Sequence, residues 1–132
     1  MPDNLYQDKE ARERLINGIR KCALAVGGTM GTAGHNALIE TLEHPGQMVT
    51  NDGATILAAI HFEDPLEEMG RKILLEAVSR ANKASGDGSS TTTVLTASIL
   101  EEGLKHLGKA SPMEIKNGIE SCLPAIEASI RR

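Results

Sequence analysis

The stretch GDGSSTTTVL at residues 86–95 is the most informative part of this chain. Two glycines flank Asp87, and five hydroxyl residues follow before an apolar pair. That order is typical of a turn that leads into a helix, whose first backbone N–H groups have no partner within the helix. Such a helix end attracts phosphate through its free donors and its positive dipole, and glycine allows close approach. Because Asp87 could hold a Mg²⁺ that travels with phosphates, the stretch indicates a nucleotide-phosphate site.

The same ten residues are also compatible with an ordinary loop and helix cap, because Gly, Asp, Ser and Thr favour turns and helix starts. Taken alone, they favour the two interpretations about equally. The common phosphate-loop motif is absent, since no Lys precedes the hydroxyl residues. The dinucleotide-binding fingerprint fails as well, because Thr91 stands in the place of its third glycine and no strand precedes it.

Length and composition limit the class of protein. The chain has 132 residues and a net charge of -4, which indicates about one domain and argues against a nucleic-acid surface. It has no Trp, one Tyr and one Phe, so the core must be aliphatic. Cys22 and Cys122 lie in apolar helical stripes and are predicted to be reduced and buried. No apolar run approaches the ~20 residues of a membrane span, and the acidic N-terminus is unlike a signal peptide, so we expect a cytoplasmic protein.

The apolar spacing predicts a mainly α fold with a small β-hairpin. The first helix runs from Asp8 to Val26 and is stopped by two glycines. Two short strands are predicted at residues 37–40 and 47–50, joined around His44-Pro45-Gly46, although the first is also compatible with helix. This region contains several glycine breakers.

Three further helices follow the hairpin. One begins after Asp64, where Pro65 and Glu67 suggest a capping box, and it continues to Gly86. The next runs from about Gly88 to Leu107 and has apolar residues around much of its circumference, so we expect it to be central and the most buried. The last begins with a capping box after Ser111, and Pro124 predicts a kink or an end within it.

Two other loops are candidate ligand contacts. The stretch TMGTAG at residues 29–34 follows the first helix, and its glycines would permit close approach, although a plain loop is the favoured interpretation. The stretch TNDGAT at residues 50–55 is a strong turn sequence. There Asp52 is either the cap of a short helix that begins near Ala54 or a carboxylate that orients a water or a metal.

Together the three loops resemble the N-terminal part of a chaperonin of the 60 kDa type. Their order and separations fit that family's equatorial ATP-binding domain, over about Asp8 to Ile130. The stretches DPLEEMG at residues 64–70 and NKASGDG at 82–88 resemble the bacterial group. The stretch TNDGATIL at residues 50–57 is closer to the archaeal and eukaryotic group, so the group stays open.

The resemblance implies a role for each loop in binding ATP and Mg²⁺. Asp87 would bind the Mg²⁺, and Asp52 would be the catalytic carboxylate near the γ-phosphate and its attacking water. The remaining nucleotide contacts would come from Thr29, Met30, Gly31, Thr32, Asn51, Gly53, Gly88, Ser89, Ser90 and Thr91. Asn51 stands where the bacterial group usually has Lys, and His35 where Arg is usual, so two cationic contributions are missing.

Members of that family are several times longer than this chain. We therefore expect residues 1–132 to be the N-terminal half of an equatorial domain, without the intermediate and apical domains. Unfolded protein substrates and a co-chaperonin would bind only through those absent domains, and the family implies a homo-oligomeric ring. Without the later catalytic Asp, this chain alone should show little or no ATPase activity. The alternatives are a truncated helical assembly module without turnover and an unrelated phosphate-binding α domain.

Overall fold

The computed structural model describes residues 9–40, 46 and 48–132. It confirms a mainly α fold with a two-stranded hairpin. The elements are α1 (Lys9–Gly27), β1 (Ala37–Ile39), β2 (Met48–Thr50), α2 (Gly53–Ala59), α3 (Pro65–Ser85), α4 (Ser89–Lys105) and α5 (Pro112–Ile130). Of the predicted elements, Asp8 of the first helix and His44, Pro45 and Gln47 of the hairpin lie outside the described residues.

The core is formed chiefly between α1 and α3. Both helices bury an aliphatic stripe, and its fully buried members include Ile19, Val26, Leu74 and Val78. Two glycines allow the backbones to come very close. A methyl group built on Gly18 would lie 2.2 Å from the Glu67 carbonyl oxygen, and one built on Gly70 would lie 2.2 Å from that of Leu15. No larger residue fits this crossing without a backbone shift.

Polar groups connect α3 to its neighbours. The predicted capping box at its start does not form: Asp64 accepts a hydrogen bond from the Leu66 N–H, but the Glu67 side chain turns toward α1. There it accepts hydrogen bonds from Lys21 at 2.7 and 2.8 Å and from Asn17 at 2.6 Å. Glu67 is nearly buried, so its carboxylate needs hydrogen-bond partners, and these come from α1 rather than from its own helix end.

The hairpin positions the start of α2. Its strands are antiparallel, and the register pairs Ala37 with Thr50 and Ile39 with Met48. This excludes the helical alternative for the first run. Ile39 is buried, and its strand contacts α2. The hairpin therefore delivers the chain directly to Asp52, the residue before α2.

The prediction that α4 is the most buried helix is wrong. Its buried residues are the small or polar Ser89, Thr93 and Ala97, whereas Leu95 is 55% exposed and Ile99 is 48% exposed. The apolar residues do surround α4, but it contacts the fold through the stripe at i, i+4 and i+8 that carries its smallest side chains. Apolar character around a helix thus did not decide which face is buried here.

The chain divides into two compact units, residues 1–98 and 99–132. In the second unit α5 has the predicted capping box between Ser111 and Glu114. The helix continues through Pro124 to Ile130, so it does not end at that proline, and the kink stays a prediction. Cys22 is buried as predicted, and burial raises the pKa of its thiol to about 11. Cys122 is exposed, because its stripe on α5 is not covered by the described residues.

Candidate functional site

Asp52 is the N-cap of α2. Its extended backbone places one carboxylate oxygen, Oδ2, 2.9 Å from the backbone N–H of Thr55, and the Thr55 hydroxyl donates to the same oxygen. These hydrogen bonds stabilise the ionised form. The Thr55 hydroxyl is the largest cause that lowers the pKa of Asp52, and partial burial opposes it. Asp52 is therefore both the predicted helix cap and an ionised carboxylate on the surface.

The loops around Asp52 and Ser89 meet, although 37 positions separate these residues in the sequence. The hydroxyl of Ser89, in the first turn of α4, donates to Asp52 Oδ1 at 3.0 Å. Gly53 makes this approach possible, because a methyl group built on it would lie 2.8 Å from the Ser90 amide nitrogen. The structure thus brings Asp52, Gly53, Ser89 and Ser90 together at the N-termini of two helices.

The glycines around Asp87 provide the predicted open turn. Gly86 and Gly88 have φ values of 77° and 92°, a region that L-residues rarely adopt. Asp87 is exposed, and its Oδ1 accepts a hydrogen bond from the Gly88 N–H at 2.6 Å. The first backbone hydrogen bond of α4 runs from the Thr92 N–H to the Gly88 carbonyl. Helix geometry leaves the N–H groups of the three intervening residues, 89–91, without partners inside α4.

The segment after α1 is anchored close to α4 but forms its described hydrogen bonds locally. A methyl group built on Gly27 would lie 3.5 Å from the Val94 side chain, so the end of α1 contacts α4. The Thr29 hydroxyl donates to the Val26 carbonyl at 2.7 Å, and Gly31 has a φ of 77°. Three more predicted contacts, Met30, Thr32 and Asn51, are exposed. No described contact joins these side chains to Asp52 or Asp87.

The site uses Thr55 in a way that the sequence did not reveal. The motif around Asp52 predicted a helix cap, but the residue that holds the carboxylate was not identified. The signal was present, since a hydroxyl residue three positions after an Asp cap can add a side-chain bond to the backbone one. The hydroxyl of Ser89 donates to Asp52, and the contact of Ser89 with phosphate stays a prediction.

The donor set fits a magnesium ion that is shared with phosphates. Among the described residues, no group of three or more His, Cys, Asp or Glu side chains is placed to hold a metal. Mg²⁺ commonly binds one or two carboxylates together with phosphates and water. The single exposed carboxylate of Asp87, beside the free donors of α4, matches that arrangement.

A groove elsewhere on the surface does not include these residues. It is a shallow, open depression along α3 alone, lined by Lys72, Leu75, Glu76, Ser79, Arg80 and Lys83. No helix among the described residues is long and apolar enough to cross a membrane.

The described residues thus form a helical fold in which the capped carboxylate of Asp52 lies beside a glycine-flanked helix start. The model of the TCP-1/cpn60 chaperonin family matches residues 23–132, and the chain belongs to that family. This agrees with the resemblance of the three loops and excludes an unrelated α domain.

Solved chaperonin structures share the fold. The chaperonin gp146 from the bacteriophage EL 2 (Pseudomonas aeruginosa), crystallised in the presence of ATP-BeFx, is 25% identical with a TM-score of 0.72 over 88% of this chain. A group III chaperonin in the open state is 23% identical, with a TM-score of 0.62 over 78% of this chain. This chain spans about 20% of the length of each of these two chaperonins.

Proposed function

We propose that this chain is the nucleotide-binding segment of a chaperonin that uses ATP and Mg²⁺ to assist protein folding. Residues 1–132 would form the N-terminal half of its equatorial domain. The observation that carries the proposal is the hydrogen bond between Asp52 and Ser89, which joins two loops beside the Asp87 turn. Family membership and the ATP-BeFx present with gp146 add independent support.

In this proposal different groups of the chain would contact different parts of the nucleotide. The exposed Asp87 carboxylate would hold Mg²⁺, which would neutralise phosphate charge when bound. The N–H groups of residues 89–91 would donate to phosphate oxygens at the positive end of α4, a helix of 17 residues. Asp52, kept ionised by its hydrogen bonds, would orient the attacking water near the γ-phosphate. Thr29, Met30, Gly31, Thr32 and Asn51 would contact the rest of the nucleotide.

The first test is calorimetric titration of the 132-residue protein with Mg-ATP and Mg-ADP. Asp87→Ala should abolish measurable binding or weaken it at least about tenfold, since about 1.4 kcal/mol of lost metal contact corresponds to that factor. Glu102→Ala is the matched control, because it removes an exposed carboxylate that pairs with Lys105 at the far end of α4. Unchanged affinity in Asp87→Ala would refute the metal assignment. If the unmodified protein binds no nucleotide, the assembly-module alternative is favoured.

The second test is turnover. Hydrolysis needs several groups that position water and stabilise charge together, and this segment supplies one catalytic carboxylate. The 132-residue protein should therefore release phosphate from ATP at no more than the background rate. A chaperonin that carries this segment with the remaining domains should hydrolyse ATP and slow down when Asp52 is replaced by Ala. Steady, Asp87-dependent phosphate release by the 132-residue protein would contradict this prediction.

A further inference from the structure

The hydroxyl of Ser89 lies where a nucleotide-binding helix would place a phosphate ligand, but it points to a protein carboxylate. It donates to Asp52 Oδ1 at 3.0 Å, and Ser89 is only 7% exposed. A hydroxyl has a single proton to donate. While that proton is shared with Asp52, the Ser89 side chain cannot donate to a phosphate oxygen.

The other carboxylate oxygen of Asp52 is fixed from its own helix. Thr55 supplies both a backbone N–H, at 2.9 Å, and a hydroxyl to Oδ2. One oxygen is thus held by α2 and the other by α4. A carboxylate held from two sides cannot rotate freely, so the hydrogen bond from Ser89 is what relates its orientation to the phosphate-facing end of α4.

The surroundings of Ser89 are closely packed. The buried Thr93 hydroxyl donates to the Ser89 carbonyl at 2.8 Å, one turn later in α4. Gly53 lies so close to Ser90 that a methyl group there would be 2.8 Å from the Ser90 nitrogen. The beginning of α4 and the beginning of α2 are therefore in close backbone contact next to this hydrogen bond.

We infer that Ser89 is a positioning residue, which fixes the Asp52 carboxylate relative to the phosphate-binding turn instead of donating its hydroxyl to phosphate. The inference rests on the proposed function, in which Asp52 serves the nucleotide. It gives different roles to two of the hydroxyl residues after Asp87. Ser89 acts on Asp52, whereas Thr91, which is exposed, remains available to the ligand.

The first experiment compares Ser89→Ala with Thr91→Ala in the 132-residue protein. Titration of the Asp52 carboxyl group, followed by carbon NMR without nucleotide, should give a higher pKa in Ser89→Ala, because a hydrogen bond that favours the ionised form is lost. Thr91→Ala should leave that pKa unchanged and weaken Mg-ATP binding in calorimetry. An unchanged Asp52 pKa in Ser89→Ala would overturn the inference.

A double-mutant cycle distinguishes positioning from a general weakening of α4. Thermal unfolding is measured for the unmodified protein, Ser89→Ala, Asp52→Ala and the double variant. If the hydrogen bond carries the effect, Ser89→Ala lowers the Tm less in the Asp52→Ala background than in the unmodified one. Equal Tm losses in both backgrounds would overturn the inference.

These outcomes separate the inference from the proposed function. If the unmodified protein fails to bind Mg-ATP but Ser89→Ala still raises the Asp52 pKa, the proposed function fails and the positioning contact stands. If Mg-ATP binds but the pKa does not respond to Ser89→Ala, the proposed function stands and the inference fails.

Discussion

Helices α3 and α4 follow each other in the sequence and are both rich in apolar residues, but they are packed in opposite ways. α3 buries large aliphatic residues, including Leu66, Leu74 and Val78, against the rest of the core. α4 buries Ser89, Thr93 and Ala97 and leaves Leu95 and Ile99 about half exposed.

The difference concerns which face of each helix is buried in this fold. On α3, Gly70 admits the backbone of α1, and the large side chains next to it are then enclosed. On α4, the inward stripe carries Ser89, which donates to Asp52, and Thr93, which donates to the Ser89 carbonyl within the same helix. The larger Leu95 and Ile99 lie away from that stripe. The close approach at Gly70 thus lies among large aliphatic side chains, whereas the close approach at Gly53 lies beside the polar contact between Ser89 and Asp52.

The largest expected effect comes from truncating the α3 core. Leu74 has no exposed surface, so Leu74→Ala should lower the free energy of unfolding by about 2–5 kcal/mol. Leu95→Ala is the matched control on α4 and should cost less than about 0.5 kcal/mol, since Leu95 is 55% exposed. Urea unfolding measures both. Similar losses in the two variants would show that the two helices are packed alike.

The next effect concerns the glycine crossing between α1 and α3. A methyl group at Gly70 would lie 2.2 Å from the Leu15 carbonyl oxygen, so Gly70→Ala should destabilise the protein by about 1–3 kcal/mol. Gly118→Ala in α5 is the control, because open space surrounds that position. It should stabilise the protein by about 0.5–1 kcal/mol through helix propensity. A stabilising Gly70→Ala would mean that the helices are farther apart than described.

The sequence predicted the elements better than their packing. The helical period of the apolar residues, together with the capping residues, predicted every described helix. Both signals are local: Asp64, Pro65 and Ser111, for example, act on the neighbouring turn. Which face of α4 is buried depends instead on contacts with residues distant in the sequence. The same holds for Glu67, whose expected local bond is replaced by bonds to α1, 46 and 50 positions away.

The candidate site, too, was predictable from the sequence only in its local parts. The cap at Asp52 and the glycine turn around Asp87 were visible in the sequence, since both are local patterns. The contact between Asp52 and Ser89 was not, because it depends on how α2 and α4 are placed in space. Gly53 offered a hint, but only the structure shows that its missing side chain makes room for Ser90.

The smallest effect is confined to acid solution and tests the ion pair between Arg71 and Glu68 in α3. Arg71, which is buried, donates from its Nε to Glu68 at 3.0 Å and from its Nη1 to the Leu57 carbonyl at 2.9 Å. The hydrogen bonds that Arg71 donates to Glu68 hold the pKa of Glu68 at about 2, below the ordinary value of 4.5, while burial opposes the shift. In the unfolded chain Glu68 therefore binds a proton at a higher pH than in the folded protein.

This contribution to stability is fully present above pH 4.5 and is lost as the pH falls toward 2. In urea titrations across that range, Glu68→Gln should show a shallower loss of stability than the unmodified protein. Glu102→Gln is the control. Lys105 lowers the pKa of Glu102, but that pair is exposed and screened by water. The stability of this variant should therefore fall with pH about as steeply as that of the unmodified protein. Parallel curves for Glu68→Gln and the unmodified protein would mean that Arg71 does not hold Glu68 in solution. The hydrogen bond from Arg71 to the Leu57 carbonyl would then join α2 and α3 without the support of Glu68.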